Sequence, residues 1–467
     1  MQIYFSVYDY IIFFLYFAAS IYIGLKTKPA DNSNAEYLVA GRRLTLPIFV
    51  ATLVSTFYGG ILGVGEFTYN VGISSWLLNA FPYYFFITIF AFFLAGKIRK
   101  TNLFTIPDKL ENAYGKKVSL IGAFLLFLLI TPAPYLLMAG ILIQLFTGFS
   151  LVISLIIGLL FSVIYLFKGG LNADVRVNVF EFVIMYLGFG IILPFCFSKL
   201  GGLSYVMNNL PETHLSLSGG NSLQYIMVWF FIGAWAIVDP SFHQRCYAAE
   251  NAATPKKGIL ISLAFWFIFD LMTITTGLYA RAFMPGLENP SMAYPLFADA
   301  ILPPIAKGLF FIGMFATVTS TLHSYIFVSA TTIGNDILAK VRKVNDTGSN
   351  LSKTGLVITS IVSLGIIVWV PSIVGIWYTI GSLTIPALLL AVVTSYSLRM
   401  HINRSILASA MAASFLVSLV SLIYGQINMI DGNANYLFDI EPMYPGLVMG
   451  VVIYFCGLGI RKLNDEK

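Results

Sequence analysis

Three hydroxyl-bearing residues, Thr317, Ser320 and Thr321, have the types and spacing of a site for a small hard cation. They lie in an apolar run from about Leu309 to Ile333, and residues three and four apart share one helix face. Polar groups at membrane depth are costly unless satisfied, so this face is expected to point into a bundle or cavity. Its hydroxyl and carbonyl oxygens are hard ligands that suit Na⁺. The alternative is that the hydroxyls bond the preceding turn or join two helices.

A second polar anomaly occupies residues 54–66, where four glycines and Glu66 interrupt another apolar run. Each glycine lowers helix propensity by about 1 kcal/mol relative to alanine. Either these small residues allow close helix packing, or the helix breaks and frees carbonyls near residues 55–58 to bind an ion. A matching interruption at Asp239-Pro240 is indicated because proline lacks a donor and disfavours helix at the residue before it.

A carboxylate in the middle of an apolar run, Asp270, is a candidate for binding a solute or a proton. It follows Trp266 by four residues, so both side chains lie on one helix face. A structural pair with a hydroxyl such as Thr273 is the alternative. His323 also has two possible roles, as a core histidine with its hydrogen bonds satisfied or as part of a gate.

The elements that position these groups are membrane helices. Of the 467 residues, 58% are hydrophobic and 10% are charged, which is far outside the range of soluble proteins. Successive long apolar runs predict an all-α polytopic membrane protein with about 13 transmembrane helices in the lipid bilayer. The predicted spans are 8–25, 46–70, 76–96, 118–147, 149–168, 177–198, 222–242, 258–280, 304–337, 354–372, 374–398, 405–424 and 443–460.

The distribution of basic residues predicts the orientation. Of the 27 Lys and Arg residues, only Lys199, Arg281 and Lys307 fall on one side of these spans. Because cytoplasmic loops carry the excess of basic residues, the N-terminus is expected outside and the C-terminus in the cytoplasm, in the cell (inner or plasma) membrane. The formal charge of +6 is then explained by the basic cytoplasmic loops that set the orientation, and no nucleic-acid partner is expected.

The two interrupted spans divide the chain. They are the second and the seventh, so spans two to six and seven to eleven form two halves, residues 46–198 and 222–398. An odd number of spans per half inverts one half relative to the other, as in alternating-access carriers. Residues 8–25 and 405–460 are expected to supply one extra N-terminal and two extra C-terminal spans, and residues 1–467 are expected to form a single membrane transport domain.

Several short motifs occur in a fixed order along the chain. They are Ala40-Gly41-Arg42-Arg43-Leu44, Leu62-Gly63 with Gly65, Tyr69 and Gly72, Gly169-Gly170-Leu171, Gln244-Arg245 with Ala248-Ala249, and Ser320-Thr321-Leu322 with Asn335-Asp336. In this order they resemble the sodium/solute symporter family, which includes the sodium/proline and sodium/glucose symporters. The resemblance implies a leucine-transporter-like core of five plus five inverted spans.

The resemblance also implies a Na⁺ ion between the second and ninth spans. Carried over position by position, its ligands are the backbone carbonyls of Ser55, Tyr58 and Thr317 and the side-chain oxygens of Ser320 and Thr321.

Two further expectations follow from the resemblance. Some family members hold another sodium ion with an Asp and serines, at positions that match Asn178, His323 and Ser324 here. Because this carboxylate is missing, we expect one Na⁺ per cycle. A small organic solute is expected between the second, third, seventh, eighth and eleventh spans. The candidate solute-binding residues are Phe57, Asn79, Phe81, Trp235, Trp266, Asp270 and Trp377.

The function predicted from sequence is a sodium-coupled symporter that imports a small organic solute by alternating access. The alternatives are a proton-coupled carrier of the same fold, using Asp270 or Glu66, and a transporter-like membrane sensor. An enzyme is not expected, because the sequence contains no nucleophile–base constellation or nucleotide loop.

Overall fold

The computed structural model describes residues 3–28, 30–31, 33–342, 349–369, 372–430 and 434–465. Within these ranges the regular structure is helical, apart from one isolated parallel bridge between Leu44 and Ala249. Helices up to the middle of the chain are α1 (Val7–Lys26), α2 (Asn34–Val39), α3 (Leu46–Phe57), α4 (Ile61–Val71), α5 (Phe81–Phe93), α6 (Ala95–Lys100), α7 (Ile106–Tyr114), α8 (Lys116–Leu129), α9 (Ala133–Thr147), α10 (Leu151–Val163), α11 (Leu166–Leu200), α12 (Leu203–Asn209) and α13 (Glu212–Leu215).

The remaining helices complete the order. They are α14 (Leu223–Ile232), α15 (Trp235–Val238), α16 (Pro240–Ala248), α17 (Thr254–Phe283), α18 (Ala293–Ile301), α19 (Ala306–Thr331), α20 (Ala339–Arg342), α21 (Ser349–Trp369), α22 (Ile373–Ser395), α23 (Arg404–Ile427) and α24 (Met443–Asp465). Wide π turns, Trp76–Ala80 and Thr332–Leu338, precede α5 and follow α19. Short 3₁₀ turns are Ala40–Arg42, Pro290–Met292, Leu398–Met400 and Leu437–Asp439.

Among the described residues, eleven helical segments are long and apolar enough to cross a membrane, or twelve when the bent pair α3–α4 counts as one span. Each predicted span has a helical counterpart. The fifth, expected at 149–168, corresponds to the shorter α10, which has 13 residues. Residues 370 and 371, at the end of the predicted tenth span, lie outside the described part of the chain. The prediction of an all-α polytopic membrane protein is confirmed.

Both predicted interruptions are present. Helix α3 ends at Phe57 and α4 begins at Ile61, with a bend of 56° between them. The seventh span divides into α14, α15 and α16, and Asp239 caps α16 by accepting a hydrogen bond from the Ser241 backbone N–H at 2.6 Å. Each break leaves backbone groups without partners in their own helix, so other elements must satisfy them.

Helix α19 lies at the centre of the bundle, and the most apolar 18-residue stretch of its span is entirely buried. It crosses α11 where Gly313 lies against Gly188, and a Cβ at either position would collide with the backbone of the other helix. Small residues at such a crossing let two membrane helices approach closely. Because α19 is enclosed on every side, its many hydroxyl groups must find partners inside the protein.

Candidate functional site

Hydroxyl groups of α19 meet the carbonyls that are freed where α3 ends. The Ser320 hydroxyl lies 2.8 Å from the carbonyl oxygen of Ser55 and 2.9 Å from that of Thr317, and the Thr321 hydroxyl donates to the Thr56 carbonyl at 2.5 Å. All five residues are at most 1% exposed. The result is a compact group of neutral oxygens supplied by two different helices.

This group of oxygens has the chemistry of a site for a hard monovalent cation. Each hydroxyl offers two lone pairs besides its proton, so Ser320 and Thr321 can turn their oxygens towards a cation and cease to donate to carbonyls. Within the described residues, no group of three or more His, Cys, Asp or Glu side chains is arranged to hold a metal ion. Neutral oxygens without thiolate or imidazole favour Na⁺ over a transition metal.

Hydrogen bonds connect Ser55, Thr317 and Ser320, three of the five predicted ion ligands, and they connect Thr321 to Thr56, which was not predicted. The Thr321 hydroxyl bonds the carbonyl of Thr56, two residues before the predicted Tyr58. The Tyr58 side chain points to α17, where its hydroxyl contacts Asp270 and lies 2.9 Å from Thr273 Oγ1. Gly59 makes the close approach possible, since a Cβ at that position would collide with the Thr321 side chain.

A cavity opens beside this group of oxygens, between the break after α3 and helices α4, α5, α9, α14, α15, α17, α19 and α22. Six of the seven predicted solute-binding residues line it: Phe57, Asn79, Trp235, Trp266, Asp270 and Trp377. The sequence reasoning did not single out its other aromatic lining residues as solute contacts: Tyr58, Tyr83, Tyr84, Tyr135, Trp229 and Tyr325. Tyr325 follows Thr321 by four residues on α19, so the cavity and the oxygen group share this helix.

Phe81 is the predicted solute residue that the structure keeps apart from the cavity. It is 38% exposed and packs against Trp76 and Phe230, with ring centroids 5.6 and 6.4 Å away. Side chains two positions apart on a helix do not face the same side. Because Asn79 faces the cavity, Phe81 faces away from it.

Asp270 is the carboxylate at the cavity wall. One of its oxygens accepts from the Tyr58 hydroxyl and the other from the Tyr84 hydroxyl, both in short contacts. Among the described residues, Asp270 forms no ion pair, since each salt bridge found involves another acid. Trp266, one turn before it, donates from its indole nitrogen to the freed Val54 carbonyl at 3.2 Å. The predicted pairing of Asp270 and Trp266 on one face is therefore present.

A second buried carboxylate, Asp174, lies one turn beyond the oxygen group. Its oxygens lie 2.8 and 2.9 Å from the Ser324 hydroxyl and 3.3 Å from the guanidinium of Arg245. Arg245 has no exposed surface, and it also donates to the Thr56 hydroxyl at 2.6 Å and to that of Ser324 at 3.0 Å. Thr56 therefore joins the two sites, since its carbonyl faces Thr321 and its hydroxyl faces Arg245.

The positions matched to a further sodium ion lie around this ion pair. The Asn178 amide lies 3.2 Å from the Ser324 hydroxyl and 3.1 Å from Asp174, so the amide belongs to the Arg245 network. His323 points elsewhere, to a short contact with the Tyr165 hydroxyl. The sequence reasoning counted Arg245 among the cytoplasmic charges. The predicted seventh span ended at residue 242, whereas α16 continues to Ala248 and carries Arg245 into the interior.

Comparison with known proteins agrees with this architecture. The model of the sodium:solute symporter family matches residues 37–376. The sodium/pantothenate symporter of Haemophilus influenzae is 24% identical, over 97% of this chain and 96% of its own. The high-affinity choline transporter 1 of Drosophila melanogaster is 22% identical, over 94% of this chain and 75% of its own. An outward-open, substrate-bound Na⁺-coupled sialic acid symporter superimposes with a TM-score of 0.80 at 16% identity, covering 98% of both chains.

Proposed function

This chain belongs to the sodium:solute symporter family, and from that premise we propose that its coupling ion binds where the break after α3 meets α19. The chain is a sodium-coupled symporter of a small organic solute, a multi-pass membrane transporter with the leucine-transporter-like fold. The ligands that we assign to the ion are the carbonyls of Ser55 and Thr317 and the hydroxyls of Ser320 and Thr321. The carbonyl of Thr56 is our addition, and that of Tyr58 remains part of the predicted set.

The observation that carries this assignment is the position of the Ser320 hydroxyl, 2.8 Å from Ser55 on α3 and 2.9 Å from Thr317 on α19. An ion bound there bridges two elements that separate when the carrier opens inward. Sodium therefore favours the conformations in which the bridge is intact, which is how a ligand shifts a conformational equilibrium. The solute cavity begins at Phe57 and Tyr58, the next residues of the same break.

We propose a stoichiometry of one Na⁺ per cycle. The Arg245 guanidinium lies 3.0 Å from Ser324 and within 3.3 Å of Asp174, in the region matched to a further sodium ion. A permanent cation beside these oxygens disfavours a second mobile one, because like charges at this separation repel strongly in a low-dielectric interior. The rate of transport is then expected to rise with Na⁺ with a Hill coefficient near one.

The solute is not given by the relatives, whose names include pantothenate, choline, glucose and proline as transported molecules. Choline differs from the others in carrying a net positive charge. The transporter named for it matches 94% of this chain. A cation is therefore among the solutes named for relatives of this chain.

We further propose import, with the N-terminus outside and the C-terminus in the cytoplasm, and two inverted halves, residues 46–198 and 222–398. The basic-residue asymmetry of the connections supports the orientation. A reporter fused after Lys467 is expected to be cytoplasmic, and a tag between Leu210 and Ser218 is expected to react with impermeant reagents from outside. An external C-terminal reporter contradicts this topology.

The ion site is tested by equilibrium binding of radioactive sodium to the purified protein. Ser320→Ala and Thr321→Ala each remove one oxygen from a buried site. Each is expected to weaken Na⁺ binding by about ten- to a hundred-fold, since an unsatisfied charge-assisted contact costs roughly 1–3 kcal/mol. Thr321→Ser keeps the hydroxyl and is expected to have a mild effect.

The matched control is Thr331→Ala, a truncation of the same type on the same helix. The Thr331 hydroxyl bonds carbonyls of its own helix, Phe327 at 2.9 Å and Val328 at 2.8 Å. This variant is expected to bind Na⁺ as the unmodified protein does. Wild-type sodium affinity in both Ser320→Ala and Thr321→Ala would show that the ion binds elsewhere.

A further inference from the structure

Asp270 is a buried acid for which the described part of the protein supplies no counter-charge. It is 5% exposed, lies in the middle of α17 and lines the cavity. The hydroxyls of Tyr58 and Tyr84 satisfy its oxygens as hydrogen-bond acceptors, but phenols carry no positive charge. A buried charge without a partner is costly, so a cation that enters this cavity gains an interaction that the protein itself leaves open.

The rest of the cavity wall suits an organic cation. Most of its lining residues are aromatic, and the fifteen described residues that form it include no Lys, Arg or His. Phe57 packs against Trp266, one turn before Asp270, with centroids 5.0 Å apart, and Tyr135 and Trp377 lie 6.3 Å apart in the same wall. Aromatic faces attract ammonium groups, most strongly when water is excluded. An anionic solute would meet the carboxylate without any basic residue in the wall.

A second buried acid shows that an unpaired charge alone does not make a solute-binding group. Glu181 also accepts from a tyrosine and a threonine, Tyr16 at 2.9 Å and Thr319 at 2.6 Å. It is fully buried and does not line the cavity. No solute can reach Glu181 in this arrangement, whereas Asp270 combines the same kind of hydroxyl contacts with open space and aromatic rings.

The size of the cavity limits the solute. Its volume is about 80 Å³ in this conformation, which suits a small solute. The indole nitrogen of Trp235, at the cavity wall, has no hydrogen-bond partner among the described residues. A donor at this wall is suited to an oxygen atom on the solute.

We propose that the transported solute is a small organic cation, an alkylammonium compound whose charge lies against Asp270 between the aromatic rings. This inference rests on the proposed symport function and gives it a substrate class. The cavity chemistry assigns the ammonium group to the side of Phe57 and Trp266 and an oxygen-bearing end of the solute to Trp235.

The test compares cations with neutral molecules of the same shape. Four of the six tryptophans of the chain line the cavity, so intrinsic fluorescence of the full-length protein reports its occupancy. At fixed Na⁺, choline is titrated against 3,3-dimethyl-1-butanol, in which a carbon replaces the nitrogen, and tetramethylammonium is titrated against neopentyl alcohol. We expect saturable binding of the cations that is at least ten-fold tighter than that of their neutral counterparts.

Two variants separate charge from shape. Asp270→Asn is expected to weaken binding of the cations at least ten-fold and to leave the neutral compounds unaffected, whereas Asp270→Glu is expected to retain part of the preference for cations. The matched control is Glu181→Gln, which removes a buried carboxylate away from the cavity and is expected to bind the cations normally. Equal binding of cations and neutral counterparts, or an Asp270→Asn variant with unchanged preference, overturns the proposal.

Failure of this inference is distinguishable from failure of the proposed function. Binding of radioactive sodium to Asp270→Asn is expected to match that of the unmodified protein, because Asp270 is not among the ion ligands. If sodium binds and the cations show no preference, the substrate class is wrong and the symport proposal stands. If sodium does not bind to the unmodified protein, the proposed ion site fails whatever the cavity prefers.

Discussion

Two buried aspartates on neighbouring helices differ in whether their charge is paired with a basic side chain. Asp174, on α11, lies 3.3 Å from the guanidinium of Arg245 and accepts from Ser324. Asp270, on α17, borders a cavity, and within the described ranges its carboxylate accepts only from tyrosine hydroxyls. The two carboxylates are at most 5% exposed. The difference is the source of the counter-charge, which is a side chain in one case and an incoming molecule in the other.

This difference distinguishes a structural charge from a binding charge. A carboxylate that is already paired with an internal arginine holds helices together and has little left to offer a ligand. A carboxylate left open to a cavity costs the empty protein stability and recovers it when a cation binds. Burial alone does not separate the two roles, but the position of the nearest cation does.

The largest effect is expected from removing Arg245. Arg245→Met leaves Asp174 buried without its cation, which costs about 3–5 kcal/mol of stability. Thermal unfolding of the purified protein measures this loss. The double variant Arg245→Met with Asp174→Asn removes both charges and is expected to recover a large part of it. A single Arg245→Met variant that unfolds at the wild-type temperature would show that the ion pair has no structural role.

The comparison is tested directly by the same substitution at the two aspartates. Asp174→Asn leaves the Arg245 guanidinium buried and uncompensated, so a loss of several kcal/mol is expected. Asp270→Asn removes a charge that has no internal partner, and the empty protein is expected to be within about 1 kcal/mol of wild type or more stable. Both are measured by thermal unfolding without added solute. Equal destabilisation by the two variants would show that Asp174 and Asp270 do not differ as structural and binding charges.

The smallest effect is expected at an ion pair near the surface. Lys307 lies 2.6 Å from Asp299, and both side chains are partly exposed. Lys307→Met is expected to change the stability by no more than about 1 kcal/mol, because water already solvates exposed partners. The same unfolding assay measures this change in stability and compares it with that of Arg245→Met. A loss as large as that of Arg245→Met would mean that solvent exposure does not govern these pairs.

The sequence predicted the membrane spans and the break after α3 better than it predicted which side chains line the cavity. Long apolar runs and the glycine-rich break are local signals, and so is the spacing of Thr317, Ser320 and Thr321. Asn79 and Phe81 could not both face the solute, and only the register set by the wide turn Trp76–Ala80 decides between them. The side of a helix that faces a cavity depends on its neighbours, which the sequence does not display.

The Arg245–Asp174 pair escaped prediction for a different reason. The two residues are 71 positions apart, and only the folding of α16 against α3 and α19 brings them together. An arginine near the end of a span is interpreted as a loop residue that sets the membrane orientation when it is counted with the loops. A carboxylate one turn before Asn178 was the available hint, since positions four apart share a helix face.

Under the proposed stoichiometry and substrate class, the membrane potential drives transport without a second sodium ion. Arg245 is a cation that stays in the protein, so it is never delivered to the cytoplasm with the cargo. With one Na⁺ and one monovalent organic cation moved per cycle, two charges cross the membrane. At an inside-negative potential of 100 mV this is worth about 4.6 kcal/mol, or roughly a two-thousand-fold accumulation before any sodium gradient is counted. In this proposal the solute's own charge supplies the electrical driving force that a second sodium ion would otherwise provide.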